Sequence, residues 1–367
     1  MKPELNWKSI FVPFYVKISL ILIGFLAMMT ILFLAQRIVV PIIYSIILAI
    51  VLSPVVDFFT RKKMNRVAAI SLTLFLFLMI VSLIVSFVCV QMIQFSDTFP
   101  QLVQKFHLFT ESTVVWISDS FGLSKLEINS WMALKNKEIL SGGTSAITKA
   151  VISTGNGLVV VIIILVYIFM ILFYQSHLIE FVHRLFNAKK FGEVDVVLST
   201  TKKIIQSYLI GLVFEALTVA TLNVCVLLLI GIKYAVLLGV VGAIINVIPI
   251  VGGIISISLP MLMAFATKSP SHVLLVFVAY FLIQFFDNHY FIPKVVASKV
   301  KINALISVVV VLSGGALWGL PGMFLSIPLT AIIKVIFDHV EPLKPWGFLL
   351  GNSQDADSNL LFVKQNT

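Results

Sequence analysis

Charge is scarce in this chain. Of its 367 residues 11% are charged and 60% apolar, and the mean hydropathy is +1.09. A soluble domain carries about 25% charged and about 45–50% apolar residues. So little charge excludes a soluble fold of this length, and lipid is the solvent for most of the chain. Cysteine is almost absent too. Cys89 and Cys225 both lie inside apolar runs, where they read as small packing residues and exclude a disulfide framework. Also missing are a Gly-x4-Gly-Lys-Ser/Thr loop, a His-Glu-x-x-His pair and a Cys-x-x-Cys pair. No ATP-driven motor, metal site or cofactor is therefore predicted. No Ser-His-Asp arrangement is legible, and His177 and His183 sit six apart in a charged stretch that reads as a solvated face, so the chain is not read as an enzyme. The net charge of +10 does not make nucleic acid a partner, because the lysines and arginines lie between apolar runs, where they act as topology signals.

What the chain does have is hydrophobic runs. A helix crossing the roughly 30 Å hydrocarbon layer needs about 20 apolar residues. Ile18–Ala35, Val39–Val56 and Val67–Ile93 read as three spans forming an N-terminal unit over 1–93. The first is longer than a signal-peptide core and reads as uncleaved. Residues 94–150 change character: Phe99, Leu102, Val103, Phe106 and Phe109 recur at helical spacing among polar neighbours, which predicts an amphipathic extracytoplasmic region. A span at Val151–Tyr174 and a charged cytoplasmic segment from Gln175 to Lys203 make up 151–203. A core over 204–345 and a cytoplasmic tail over 346–367 complete the chain. Arg61, Lys62, Lys63 and Arg66, with Arg184, Lys189, Lys190, Lys202 and Lys203, fall on one side of the membrane. By the positive-inside rule both termini are cytoplasmic.

The last third carries the architecture. Tyr234–Thr267 is broken by Asn246-Val-Ile-Pro-Ile-Val-Gly-Gly253, and Ile302–Val340 by Gly314-Gly-Ala-Leu-Trp-Gly-Leu-Pro-Gly322. Each arm is shorter than a straight crossing prefers. Proline removes a helical hydrogen bond and glycine loosens the backbone, so each stretch predicts a helical hairpin that returns to the side it left. Unwound backbone at membrane depth survives only when buried in protein or lining a cavity. The spans Ile204–Ile230 and His272–Phe291 precede the two hairpins in opposite directions, so one unit is the other inverted. The fold class is an all-α polytopic membrane protein of about six full spans plus two Gly/Pro-broken hairpins. Inverted repeats with discontinuous helices are how many secondary transporters build a midplane site. Short kinked spans are the alternative.

These residues also carry a family resemblance. Tyr234-Ala-Val-Leu-Leu-Gly239, Asn246-Val-Ile-Pro-Ile-Val-Gly252 and Pro260 resemble the signature of the autoinducer-2 exporter family. So do Asp287-Asn288 with Pro293-Lys294, and Gly314-Gly-Ala-Leu-Trp-Gly319 with Gly322-Met323 and Ile327-Pro328-Leu329. The resemblance is specific from about Tyr208 to Pro345. It implies a homo-oligomeric transporter of the bacterial inner membrane that exports a small polar solute such as the furanone autoinducer-2, with a proton or sodium gradient as the coupling force. After Pro293-Lys294 the sequence departs from the common pattern, reading Val295-Val-Ala-Ser-Lys-Val-Lys-Ile-Asn-Ala304, and Leu212 stands where a polar residue is frequent. These departures bear on the substrate and not on the class.

Polar groups inside spans are the candidate site. A carboxylate at mid-bilayer costs at least about 2.5–3.5 kcal/mol, so it faces protein or water. Ser207, Gly211, Glu215 and Thr218 form one helical stripe, and Tyr280, Gln284, Asp287 and Asn288 a similar one. Together with Asn246, Pro249, Gly252 and Gly253 at the first break, and Gly314, Gly315 and Pro321 at the second, Glu215, Gln284, Asp287 and Asn288 are predicted to line a solute or ion pathway. The partners predicted are a small-molecule solute, membrane lipid and further copies of the chain. Two alternatives stand beside this reading: interhelical glue for the carboxylates, and an oligomeric channel or a non-transporting scaffold for the whole.

Overall fold

The computed structural model describes residues 13–96, 159–186, 191–248, 251–291 and 302–351, with the isolated positions 104, 157 and 300. The amphipathic region expected at 94–150 lies almost wholly outside them, as do Pro249, Pro293 and Lys294. The described chain is helical, as its apolar runs predict. Helices α1 (Phe14–Leu34), α2 (Gln36–Arg61) and α3 (Arg66–Ser96) come first, then α4 (Val159–Phe173) and α5 (Gln175–Leu185). Next are α6 (Phe191–Ile230), α7 (Ala235–Asn246), α8 (Val251–Thr267), α9 (Pro270–Phe286), α10 (Ala304–His339) and the short α11 (Lys344–Leu350). Among the described residues six helices are long and apolar enough to cross a membrane, α10 among them by length alone because it folds back on itself. The protein is an all-α polytopic membrane protein.

Exposure follows from that solvent. α1 buries no residue and presents Ile21, Leu26 and Ile31 outward, which in water would be untenable and in lipid is not. Packing begins at α2, whose Ala49 and Val56 meet Ala69 and Ile70 of α3 and Ile168 and Leu172 of α4. Arg66 reaches across from the start of α3 and donates from Nη2 to the Leu172 carbonyl at 2.8 Å, covering one of the free carbonyls at the end of α4. There the chain bends by 67° into α5. Proline also shapes contacts in α2. Pro54 has no N–H to give the Ile50 carbonyl four residues earlier. Gln206 of α6 donates its Nε2 to that oxygen at 2.7 Å, tying the N-terminal helices to the second half.

α6 is the central element, packing against α2, α7, α9 and α10. It starts well before Ile204, where its apolar run begins. At 40 residues it is about 60 Å long, twice the hydrocarbon thickness. The charged stretch from Phe191 to Lys203 is thus a helical extension of the span, and α5 makes the preceding charged stretch helical as well.

Both broken stretches double back. Gly242 on α7 packs so closely on α8 that a Cβ there would meet Ser256 Cβ at 3.3 Å, and Gly252 backs onto the Ile245–Asn246 backbone. In α10 a Cβ on Gly314 would run into Ser326 Oγ and lie 2.6 Å from the Gly322 carbonyl. Twelve residues of straight helix would separate 314 from 326 by about 18 Å, so the chain has reversed. The reversal is sharper than the Gly314–Gly322 stretch suggests. It turns on Gly319, whose φ of 66° and ψ of −146° belong to a region open essentially to glycine alone. Gly314, Gly315 and Gly322 remain helical and let the two arms approach.

Candidate functional site

The buried face of α6 repeats every three to four residues: Ile205, Tyr208, Gly211, Glu215, Val219, Asn223, Leu227. Leu, Val and Phe occupy the other faces, so the helix turns its few polar groups inward. Glu215 is 5% exposed and Asn223 1%. Thr218, placed in the same stripe by sequence, instead donates its hydroxyl to the Phe214 carbonyl of its own helix at 2.8 Å. Asn223 extends the stripe two turns beyond Glu215, a position that the four-residue spacing alone points to.

Around Glu215 the two hairpins converge. Val247 at the first tip and Phe324 and Ile327 of the second hairpin pack with Tyr208 and Leu212, within two turns of the carboxylate. From the other side comes Asp287, 1% exposed, at the end of α9. There the helix widens into a π-turn over residues 287–291, a feature frequent at functional sites. Asn246 at the first tip donates its Nδ2 to Asp287 Oδ2 at 2.9 Å. α9 packs against α6, the helix that carries the buried Glu215. Among the described residues nothing donates to Asp287 Oδ1, Tyr280 Oη or Asn223 Oδ1, all three fully buried. Buried oxygens without donors are uncommon in native proteins, and each calls for an explanation.

Of the predicted pathway residues, Asn246 and Asp287 are thus brought together, and Glu215 is buried on the helix against which both their elements pack. Gln284 joins them at one remove: its carboxamide lies against Gly253, where a Cβ would come within 3.2 Å of Oε1. Gly252 packs the first hairpin and contributes no side chain. Asn288 is exposed, on the outer side of the π-turn, and among the described residues takes a long 3.4 Å contact from Gln284. Pro249 lies outside the described residues. Gly314 and Gly315 back onto the second hairpin's own returning arm, at Gly322, Met323 and Ser326. The second tip instead meets the N-terminal helices, where Trp318 Nε1 donates to the Leu32 carbonyl of α1 at 3.1 Å and Tyr44 of α2 donates to the Pro321 carbonyl at 3.2 Å. Tyr44 also stacks on Phe324. Trp318 lies in the Gly314–Gly319 motif and Tyr44 in an apolar run, but neither contact was legible in the sequence because the partners are backbone carbonyls of distant helices.

Comparison with known proteins adds a second line of observation. A family model described as "AI-2E family transporter" matches residues 20–341. YueF of Bacillus subtilis, named as a candidate transport protein, is 24% identical over 317 residues, covering 83% of this chain and 84% of its own. The AI-2 transport protein TqsA of Escherichia coli is 22% identical over 322 residues, covering 83% of this chain and 87% of its own. YrrI of Bacillus subtilis, also named as a candidate transport protein, is more similar at 34%, but over 109 residues that cover 31% of its length.

Proposed function

Because this chain belongs to the AI-2E family of transporters, we propose that it is a secondary transporter that exports a small polar solute of the autoinducer-2 furanone type from the bacterial cytoplasm, coupled to a proton or sodium gradient. The observation that carries this is the hydrogen bond from Asn246 at the first hairpin tip to Asp287 at the end of α9, on two elements that both pack against the helix burying Glu215. Two like charges at that depth repel, and a bound cation or proton stabilises the pair. Hydroxyls of a sugar-like solute suit the same carboxylates and amides as acceptors and donors. The name of TqsA supports the furanone as solute.

The moving part is the unit 204–345, which shifts against the N-terminal helices. The tip contacts from Trp318 and Tyr44 are then made in one position and broken in the other. The chain works as a homo-oligomer in the inner membrane with both termini cytoplasmic, an orientation supported by the lysine and arginine bias. Purified protein in liposomes provides the test. Furanone flux that saturates and responds to an imposed proton or sodium gradient is expected. Ohmic, non-saturating conductance would make the protein a channel, and no flux under any gradient would remove the transport reading.

A further inference from the structure

The short helix that follows the second hairpin comes back to its base. α11 lies along the returning arm of α10. Gly347 is buried there, so close to Asp338 that a Cβ would run into Oδ1, and a Cβ on Gly351 would lie 3.3 Å from Lys334 Cε. Asp338 in turn accepts from Lys334 Nζ. One helical turn separates 347 from 351, and one separates 334 from 338, so α11 runs antiparallel to that arm. It ends where the outgoing arm begins, at Asn303, which lies about as far before the Gly319 reversal as Lys334 lies after it.

Asn303 joins the two helices. Its Oδ1 accepts from the Ile306 N–H at 2.9 Å and caps the start of α10. Its Nδ2 donates to the Leu349 carbonyl at 2.8 Å and to the Gly351 carbonyl at 3.0 Å. Its backbone N–H donates to the Leu350 carbonyl at 3.1 Å. Three carbonyls at the end of α11, where the helix has no N–H left to offer, are thus satisfied by one residue. Ser, Thr, Asp and Asn all cap helices well, but of these only asparagine has side-chain N–H groups to give. Asn303 also stands in the Val295–Ala304 stretch, where the sequence departs from the common family pattern. We propose that Asn303 is a positioning residue for transport: it splices α11 to α10 and holds the base of the second hairpin shut, so that the hairpin carries its tip as one body. The moving unit then extends to Gly351. The Trp318 and Tyr44 contacts are made and broken by travel of the whole hairpin, with no splaying of its arms about Gly319. The role in transport rests on the function proposed above; the splice itself does not.

Amide hydrogen exchange on the full-length protein in nanodiscs tests the splice. Asn303→Asp keeps the cap on α10 but loses both donated bonds and sets a carboxylate against the carbonyls of α11. Exchange across 304–307 and 345–351 should quicken about tenfold or more, with α6 unchanged. Exchange equal to wild type in both segments would overturn the inference. A reversible replacement of the splice tests the role in transport. The backbone bond between Asn303 and Leu350 puts these two residues within disulfide reach. With Cys89 and Cys225 changed to serine, Asn303→Cys with Leu350→Cys should show maximal furanone flux that is severalfold low when reduced and near wild type when oxidised, at an unchanged KM. Both states come from one preparation, so a loss of folded protein does not mimic the recovery. Reduced flux equal to wild type would overturn the positioning role, and so would oxidised flux that stays low or falls further, which would mean that the junction opens in the cycle. If Asn303→Asp fails to assemble, exchange of the cysteine pair, reduced against oxidised, decides the splice. A wild type without flux would remove the transport reading, and exchange would then decide the splice alone.

Discussion

A buried carboxylate in the hydrocarbon layer needs donors, and among the described residues Asp287 has one, the Asn246 carboxamide. Removing a donor from a buried acceptor costs about 1–3 kcal/mol, and more when the acceptor is charged, whereas replacing both partners by apolar groups of similar shape is close to neutral. Asn246→Leu should therefore lower the melting temperature markedly, and the pair Asn246→Leu with Asp287→Leu should recover most of the loss. Thermal denaturation of the four proteins in one detergent checks this. Equal losses in single and double variants would mean that the two residues do not act as a pair. At this scale the sequence was legible where polarity is rare. Glu215 and Asp287 stand out because each costs so much in its span. The partnership with Asn246 was not legible, because 41 residues separate the two and only the hairpin fold closes that gap. Thr218 misled for the opposite reason: a hydroxyl can satisfy itself on its own helix.

At the level of elements, glycine decides the second hairpin in two different ways. Gly319 is required for its backbone angles, while Gly314 is required for space between the arms. Alanine at Gly319 meets no neighbour within 4 Å but takes on backbone strain of about 1–3 kcal/mol. Alanine at Gly314 keeps its helix but drives the arms apart. Both variants should lose thermal stability, Gly314→Ala the more, and Gly24→Ala, where a Cβ meets nothing, should match wild type. Stability of Gly314→Ala equal to that of Gly24→Ala would count against tightly packed arms. The broken stretches were readable as hairpins from proline and glycine within runs too short to cross twice. The reversal at one residue was not, since five glycines and prolines between 314 and 322 offer themselves equally. The start of α6 was hidden because hydropathy marks where a helix meets lipid, and not where the helix begins.

On the scale of the whole molecule, α6 joins everything: it takes Gln206 to α2, Tyr208 and Leu212 to both hairpins, and packs against α9, which ends at Asp287. Orientation is the first thing this layout requires. With Cys89 and Cys225, both exposed, replaced by serine, single cysteines at Asn65 and Asn187 should react only with reagent applied from the cytoplasm, and one at Ser120 only from outside. Labelling of Asn187 from outside would reverse the topology and remove the inverted relation of the two hairpin units.

The central claim is that the carboxylates where the hairpins meet couple solute movement to an ion gradient. Glu215→Gln keeps size and hydrogen-bonding capacity and removes the charge. The measurement is gradient-driven furanone flux in matched proteoliposomes of wild type and Glu215→Gln, after both are shown to assemble alike. The account predicts that flux through the variant no longer responds to a proton or sodium gradient that drives the wild type. Unchanged gradient dependence in Glu215→Gln would contradict it and leave the carboxylate as a packing contact between helices.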